Sequence, residues 1–295
     1  MFCNPFDGQG EWYKANLHTH TTVSDGKASP EERVEQYRAQ GYSVLAITDH
    51  NVSSEAAHLS TEDFLVVDGA ELSPRDFTEG RGYHLACINT PPGRRWVNEG
   101  KYANELISEV RNAGGEVFIA HPYWCGDNIL DLLMLQGYAA VEVFNSSCID
   151  GGKADSTVHW DNMLELGLHV AAVAVDDTHS GLKGGSDLFA GYTMLKLSEL
   201  SLAAVMDCLR NGRFYASCGP EFLDFRVEDG VARVRCSEVK EIRLMAWRYF
   251  GRVQRAERGS LLTEFEAPVG DRWRYVRAEI VDADDRHAWT NPILV

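Results

Sequence analysis

Along the first two-thirds of the chain, short apolar runs alternate with stretches of helical spacing. The runs at residues 43–48, 64–67, 83–89, 116–120, 139–144, 169–175 and 192–197 have strand length and are rich in Val, Ile, Leu and Ala. Helices are expected between them. Ser29-Pro30-Glu31-Glu32 reads as a capping box with proline at the first helical position, Val34 and Tyr37 continue it, and Gly41 ends it. Residues 101–113 place Ala103, Leu106, Ile107, Val110 and Ala113 on one face before Gly114-Gly115. Shorter helices are expected at 128–136, 158–166 and 200–210, the last closed by Asn211-Gly212. Strands alternating with helices predict an α/β fold with helices outside a parallel sheet.

The polar residues at the ends of these runs carry the candidate chemistry. His18 and His20 follow the first strand, and side chains two apart point to one side. Asp25 lies five residues on. Asp49 and His50 end the second run, and Glu71 follows the third. His84, His121, and Asp177 with His179 stand at or beside later runs. Six of the ten histidines therefore fall at or next to strand ends. Mixed imidazole and carboxylate donors suit Zn, Mn or Fe better than Ca or Mg. His58, His159, His169 and His287 read as structural or surface residues.

From about residue 220 the rhythm changes. Residues 225–236 alternate about Asp229-Gly230, a hairpin signal, and 241–250 and 274–281 are further strand-like runs. The expected organisation is a chemistry-bearing domain at 1–219 and a small antiparallel β module at 220–295, joined tightly because no Pro- or Ser-rich linker separates them.

Composition narrows the partners. Twenty-eight basic and 44 acidic residues leave a net charge of −16, which argues against general affinity for nucleic acid or anionic membrane. The seven cysteines show no CxxC spacing and read as reduced thiols of a cytoplasmic protein. Met1 to Gly10 lacks a secretion-signal pattern, and no run is long enough to span a membrane.

Taken in order, the motifs HxH (18–20), SDG (24–26), TDHN (48–51), GAELS (69–73), AHP (120–122) and DxH (177–179) resemble those of the PHP (polymerase and histidinol phosphatase) family of metal-dependent phosphoesterases. The likeness covers about residues 15–220. Residues 214–220 (FYASCGP) and 288–292 (AWTNP) further resemble the carbaryl-hydrolase-like (CehA/McbA) branch. The resemblance implies a distorted seven-stranded βα barrel holding two or three divalent ions of Mn, Zn or Fe. His18, His20, Glu71 and Asp177 would hold the first, and Glu71, His84 and His121 the second. Asp25, His50 and His179 would hold the third. Asp177 rather than Asp176 keeps the DxH spacing, and Asp25 stands where some members have histidine.

The implied chemistry is in-line attack on phosphorus by metal-activated water, with no side-chain nucleophile. Asp49 and Glu142 are expected to accept the outer N–H of ligating histidines, and a metal-bound water or a nearby histidine, with His179 the catalytic candidate, to protonate the leaving oxygen. Tyr123 is a candidate for stacking on a base or aromatic leaving group. Arg75, Arg81 and Lys183 are candidates for a second phosphate. The expected substrate is a small phosphorylated molecule, with nucleotides and short oligonucleotides leading. Hydrolysis of a carboxyl ester, carbamate or amide by the same centre is the alternative, followed by a non-catalytic metal-binding domain.

Overall fold

Seven strands and their connections build the frame that carries the histidines. In the computed structural model, which describes residues 3–74, 82–96 and 101–295, they are β1 (Glu11–Asn16), β2 (Val44–Ile47), β3 (Leu65–Leu72), β4 (Leu85–Ile88), β5 (Glu116–Ile119), β6 (Ala140–Asn145) and β7 (Ala171–Val175), neighbours in that order. The helices are α1 (Pro30–Arg38), α2 (Ala103–Asn112), α3 (Pro122–Cys125), α4 (Ile129–Leu133), α5 (Thr157–Glu165) and α6 (Leu202–Asn211). The expected capping box forms at α1: Ser29 Oγ accepts from Glu32 N, and Glu32 accepts from Ser29 N at 2.8 Å.

The strands are buried on both faces, as a helix-covered sheet requires. Val117 and Ile119 of β5 pack with Leu106, Ile107 and Val110 of α2 and with Trp160 and Met163 of α5. Phe118 turns to the opposite face and meets Val44, Ala46, Val173 and Val175. Continuous apolar runs, rather than alternating ones, follow from this double burial.

The sheet is not parallel throughout, which corrects the expectation. β1–β2–β3 and β5–β6–β7 are parallel, but β4 runs antiparallel to both β3 and β5. An antiparallel neighbour needs no crossover helix, and no helix is described between β3 and β4. At their C-terminal ends, β1 and β7 meet: His20 N donates to Thr178 O at 3.0 Å and Asp177 N to His18 O at 2.9 Å. Lower down, Thr193 Oγ1 bonds both Ala174 N and Ala174 O. Thr193 belongs to β8 (Tyr192–Leu197), which lies antiparallel to β1.

The remaining strands are β9 (Phe214–Ser217), β10 (Phe222–Glu228), β11 (Val231–Val239), β12 (Glu241–Ala246), β13 (Gly251–Arg255), β14 (Leu262–Pro268), β15 (Tyr275–Val281), β16 (His287–Thr290) and β17 (Ile293–Leu294). β9 pairs with both β8 and β16, so β16, β15, β12 and β13 extend the same sheet. β10, β11 and β14 form a second sheet. Phe225, Val234, Leu244, Val276 and Ile280 lie in the apolar layer between the two. The hairpin at Asp229-Gly230 forms with both residues left-handed (φ 51° and 71°).

Candidate metal centre

All of the candidate ligands converge at one edge of the seven strands. His18 and His20 lie just past β1, His50 past β2, His121 past β5, and Asp177 and His179 past β7. Glu71 is the penultimate residue of β3. His84 directly precedes β4, and because β4 is reversed, its start lies beside the ends of its neighbours. Asn51, His121 and Asp177 adopt left-handed backbone (φ 56°, 27° and 54°), which turns the chain sharply where ligands leave the strands. Such a conformation costs a non-glycine residue about 1–2 kcal/mol, and the surrounding hydrogen bonds must hold it.

Three groups of donor atoms result, each lying within 4.8 Å: His18, His20, Glu71 and Asp177; Glu71, His84 and His121; and His20, Asp25, His50 and His179. Glu71 serves two of them. Its Oε1 is 2.6 Å from His84 Nδ1 and 3.2 Å from His121 Nε2. Its Oε2 is 2.9 Å from His50 Nδ1, 3.3 Å from His20 Nε2 and 3.4 Å from His18 Nε2. Asp177 Oδ1 lies 3.0 Å from His20 Nε2 and 3.3 Å from His18 Nε2.

These donors fit divalent metal ions. His18 Nδ1 lies 2.7 Å from Glu142 Oε1, so in a neutral ring the proton sits there and Nε2 turns a lone pair toward His20 Nε2, 3.2 Å away, and toward two carboxylates. His179 repeats the pattern: Nδ1 bonds Asp177 O at 2.8 Å and Nε2 faces Asp25. Lone pairs facing carboxylates repel unless a cation lies between them. While the facing Nε2 atoms of His18 and His20 carry lone pairs, buried Asp177 Oδ1 has no hydrogen-bond donor among the described residues, which is costly for a carboxylate without a cation.

Without metal, three of the imidazoles, those of His18, His20 and His121, are held above their ordinary pKa. Burial disfavours charge on His18, but Asp177, Glu142 and Glu71 outweigh it and hold its pKa well above the usual value. His20, opposed by burial but bonded to Asp177 and Glu71, is raised to about 9. His121 is raised too, its burial offset by Cys125 and Glu71. Burial pushes Glu71 and Asp177 up, but the histidines prevail and both are depressed. His179 is lowered by burial and by His20.

The supporting residues divide differently from expectation. Glu142 accepts from His18, from His121 N at 2.8 Å and from Asn145 Nδ2 at 2.9 Å. Among the described residues Asp49 is bonded to Thr21 and Ser24 and to no histidine, which corrects its expected part. Its carboxylate accepts from Thr21 N and Oγ1 and from Ser24 N and Oγ, at 2.7–3.1 Å, and so clamps the loop carrying Asp25. Sequence reasoning missed Asn145 as a site residue; its amide also reaches Asp177 Oδ2 at 3.1 Å. Asp176, set aside as a ligand, accepts from Tyr37 Oη, Ser146 Oγ and the backbone N–H groups of residues 189–191. Only the strand-end position of Asn145 and Asp176 signalled either.

A cleft of about 230 Å³ opens over the donors, walled by Trp124, Ser147 and Cys148. Trp124, not Tyr123, faces it. Trp124 stands three residues after His121, and its ring centroid is 5.1 Å from that of His121. The Tyr123 ring lies against His159 and under Lys153 Nζ. Lys183 is exposed and does not line the cleft. Arg75 and Arg81 fall outside the described residues.

Comparison with known proteins agrees with this arrangement. The profile of the PHP domain family matches residues 16–119, the stretch that supplies His18 through Glu71 and His84. A 5′-3′ exoribonuclease of Haemophilus influenzae is 38% identical over 80 residues, 26% of this chain and 28% of that protein. A phosphoribosyl 1,2-cyclic phosphate 1,2-diphosphodiesterase of Eggerthella lenta is 35% identical over 115 residues, 35% and 44% of the two chains. The match thus spans less than half the length of either relative. An uncharacterized protein of Methanocaldococcus jannaschii is 32% identical over 158 residues, 47% of this chain and 85% of that one. A two-domain protein from Bacteroides vulgatus containing a predicted PHP-like metal-dependent phosphoesterase superposes over 97% of this chain and 95% of its own, with a TM-score of 0.55 at 16% identity, a likeness of fold. With the domain profile matched over the first ligand strands and a relative covered nearly end to end, the chain belongs to the PHP-domain family.

Proposed function

We propose that this chain is a metal-dependent phosphoesterase acting on a small phosphorylated substrate, with nucleotides and short oligonucleotides as the leading class. The observation that carries the reading is Glu71, one buried carboxylate whose two oxygens face separate histidine groups. A carboxylate so placed would be shared by two ions if both groups were filled. The names of the exoribonuclease and diphosphodiesterase relatives support phosphoester chemistry. The assigned ligands are His18, His20, Glu71 and Asp177; Glu71, His84 and His121; and Asp25, His50 and His179, with His20 also within reach of the third group. Two or three ions of Mn, Zn or Fe suit these donors.

Such ions supply an acidified water and positive charge beside the phosphoryl oxygens. The chain's own residues orient the reaction. Glu142 fixes the His18 tautomer and, through His121 N–H, the turn after β5. Asn145 ties Glu142 to Asp177. Asp49 holds the Asp25 loop. His179 holds Nδ1 on Asp177 O and turns Nε2 toward Asp25, which favours a ligand role over that of a proton donor. Trp124 offers the substrate a planar wall.

We read β1–β7 as a distorted seven-stranded barrel, residues 1–219 as the chemical domain and 220–295 as its β module. Placement in the carbaryl-hydrolase-like branch is supported by its two motifs lying on paired strands: Ser217 is opposite Ala288, Ala216 opposite Trp289 and Tyr215 opposite Thr290. All seven cysteines are free, in keeping with a cytoplasmic protein.

The test is turnover of nitrophenyl phosphate, its diester and a nucleotide panel by Mn-loaded protein, with metal content measured. Hydrolysis of one or more is expected. Metal-loaded protein inert toward all of them would overturn the assignment, and turnover of naphthyl acetate or an aryl carbamate instead would move the chemistry to carbonyl carbon.

A further inference from the structure

The whole chain is strongly acidic, yet one surface of the C-terminal module is the reverse. Residues 247–258 contain four arginines and a single acid, Glu257, and residues 270–274 contain Arg272 and Arg274 beside Asp271. β12 pairs with β15, placing Ala246 opposite Val276. The turn after β12 and the segment before β15 therefore lie together. Among the described residues, Arg248, Arg252, Arg258, Arg272 and Arg274 are exposed and have no carboxylate at ion-pair distance, whereas Arg255 is committed to Glu241 at 2.8 Å.

Aromatic rings hold four of these arginines in place of carboxylates. The guanidinium carbons of Arg248 and Arg274 lie 4.2 and 4.0 Å from the centroid of Trp247. Arg272 lies 4.8 Å from Phe250, and Arg252 5.8 Å from Trp273. Beside them Tyr249 is 79% exposed, with its ring 4.5 Å from that of Phe250. Stacking on a ring costs a guanidinium little hydration and leaves its N–H fork free, and that fork matches a phosphate.

We infer that the turn after β12 and the 269–274 segment form a docking surface for single-stranded nucleic acid. The arginines engage phosphates, and Tyr249 with the guanidinium planes stacks bases that only an unpaired strand exposes. This goes beyond the phosphoesterase reading and does not require it. Arg274 and Tyr275 line a small cleft with Glu165, which accepts from Arg248 N and Tyr275 Oη, and with Gly167, Leu168 and His169, the residues leading into β7. The surface is therefore at the end of β7 opposite Asp177, about 25 Å away at strand rise. It anchors a strand and does not position the bond that is cut.

The experiment is fluorescence anisotropy of a labelled single-stranded RNA of roughly 20 nucleotides with the full chain in EDTA, across a salt series. Wild type is expected to bind saturably at low salt. The quadruple variant R248Q/R252Q/R272Q/R274Q should bind about tenfold or more weakly, with its log–log salt slope reduced by about 3. Y249A should lose about fivefold or more through stacking alone. Turnover of the nitrophenyl diester by these variants should match wild type, so that failure here is separable from failure of the phosphoesterase assignment. R252Q and Y249A as single variants keep the test readable should the quadruple variant not fold. Absence of wild-type binding, or unchanged binding by the variants, overturns the inference. So does preference for a duplex or for phosphatidylglycerol vesicles over the single strand.

Discussion

Glu142 shows how much a residue that need not touch substrate can control. Its two oxygens hold a histidine ring, a backbone N–H and an amide, all leading to ligands. Glu142→Gln would present an amide N–H to His18 Nδ1, losing one bond, or to His121 N–H and Asn145 Nδ2, losing two. The expected outcome is metal affinity lowered about 10- to 100-fold with a nearly unchanged far-UV spectrum, checked by competition against a chromophoric chelator. His20→Ala and Asp177→Asn act more directly. Both should abolish turnover while the protein stays folded, and retained turnover at saturating metal would show that the first group is misassigned. Asp177→Asn also removes a carboxylate that holds His18 and His20 above their ordinary pKa, so the metal-free variant is expected to be less stable than metal-free wild type in urea titration at neutral pH.

Between elements, the junction of β15 with α5 rests on a buried ion network. Arg277 on β15 is fully buried and bonds both oxygens of Asp161 on α5 at 2.9 Å and Glu279 at 3.1 Å. Arg277→Met leaves both carboxylates without that partner, and a loss of about 3–5 kcal/mol is expected on breaking such a pair. Chemical denaturation measures it. Burial raises the pKa of Glu279, but His287, Arg277 and Arg243 outweigh it and hold it at about 2 against an ordinary 4.5. A depressed carboxylate pKa stabilises the fold above the unfolded value and ceases to do so as pH falls through the folded one. Urea midpoints should therefore fall between about pH 4.5 and 2, and Glu279→Gln should flatten that dependence.

For the molecule as a whole, metal and protons compete for the same cleft. Without metal, His20 holds its proton up to about pH 9 against an ordinary 6.5. A raised histidine pKa stabilises the metal-free fold fully below 6.5, and that contribution is lost as pH rises through 9. Metal binding must displace the proton, so the affinity for Mn²⁺ should rise with pH across this window. Calorimetry in two buffers of different ionisation enthalpy should show proton release at pH 7, and release of none would place metal elsewhere. EDTA should lower the melting temperature more at pH 9 than at pH 6.5, since the loaded form has no such proton to lose.

The ligand types and strand-end positions were legible in the sequence because both are local. Alternation over three residues puts His18 and His20 on one side, and a capping box or an apolar run is written within a few residues. The hairpin at Asp229-Gly230 was legible for the same reason, since only two residues need left-handed backbone. What the tertiary structure decided depends on distant partners. β4 reverses because its pairing with β3 and β5 is a long-range choice, and that reversal brings His84 to the edge where Glu71 waits. Asp49 and Glu142 look alike in sequence, yet one clamps a loop and the other a histidine, because the neighbours of a buried carboxylate come from other strands. β9 joins the C-terminal strands to the sheet through β16, whose paired residues lie 71–75 positions further on, and no periodicity records that pairing. The basic surface escaped composition for a related reason. Net charge sums over the chain, whereas attraction is felt within about a Debye length, and only folding brings Arg248 and Arg252 beside Arg272 and Arg274.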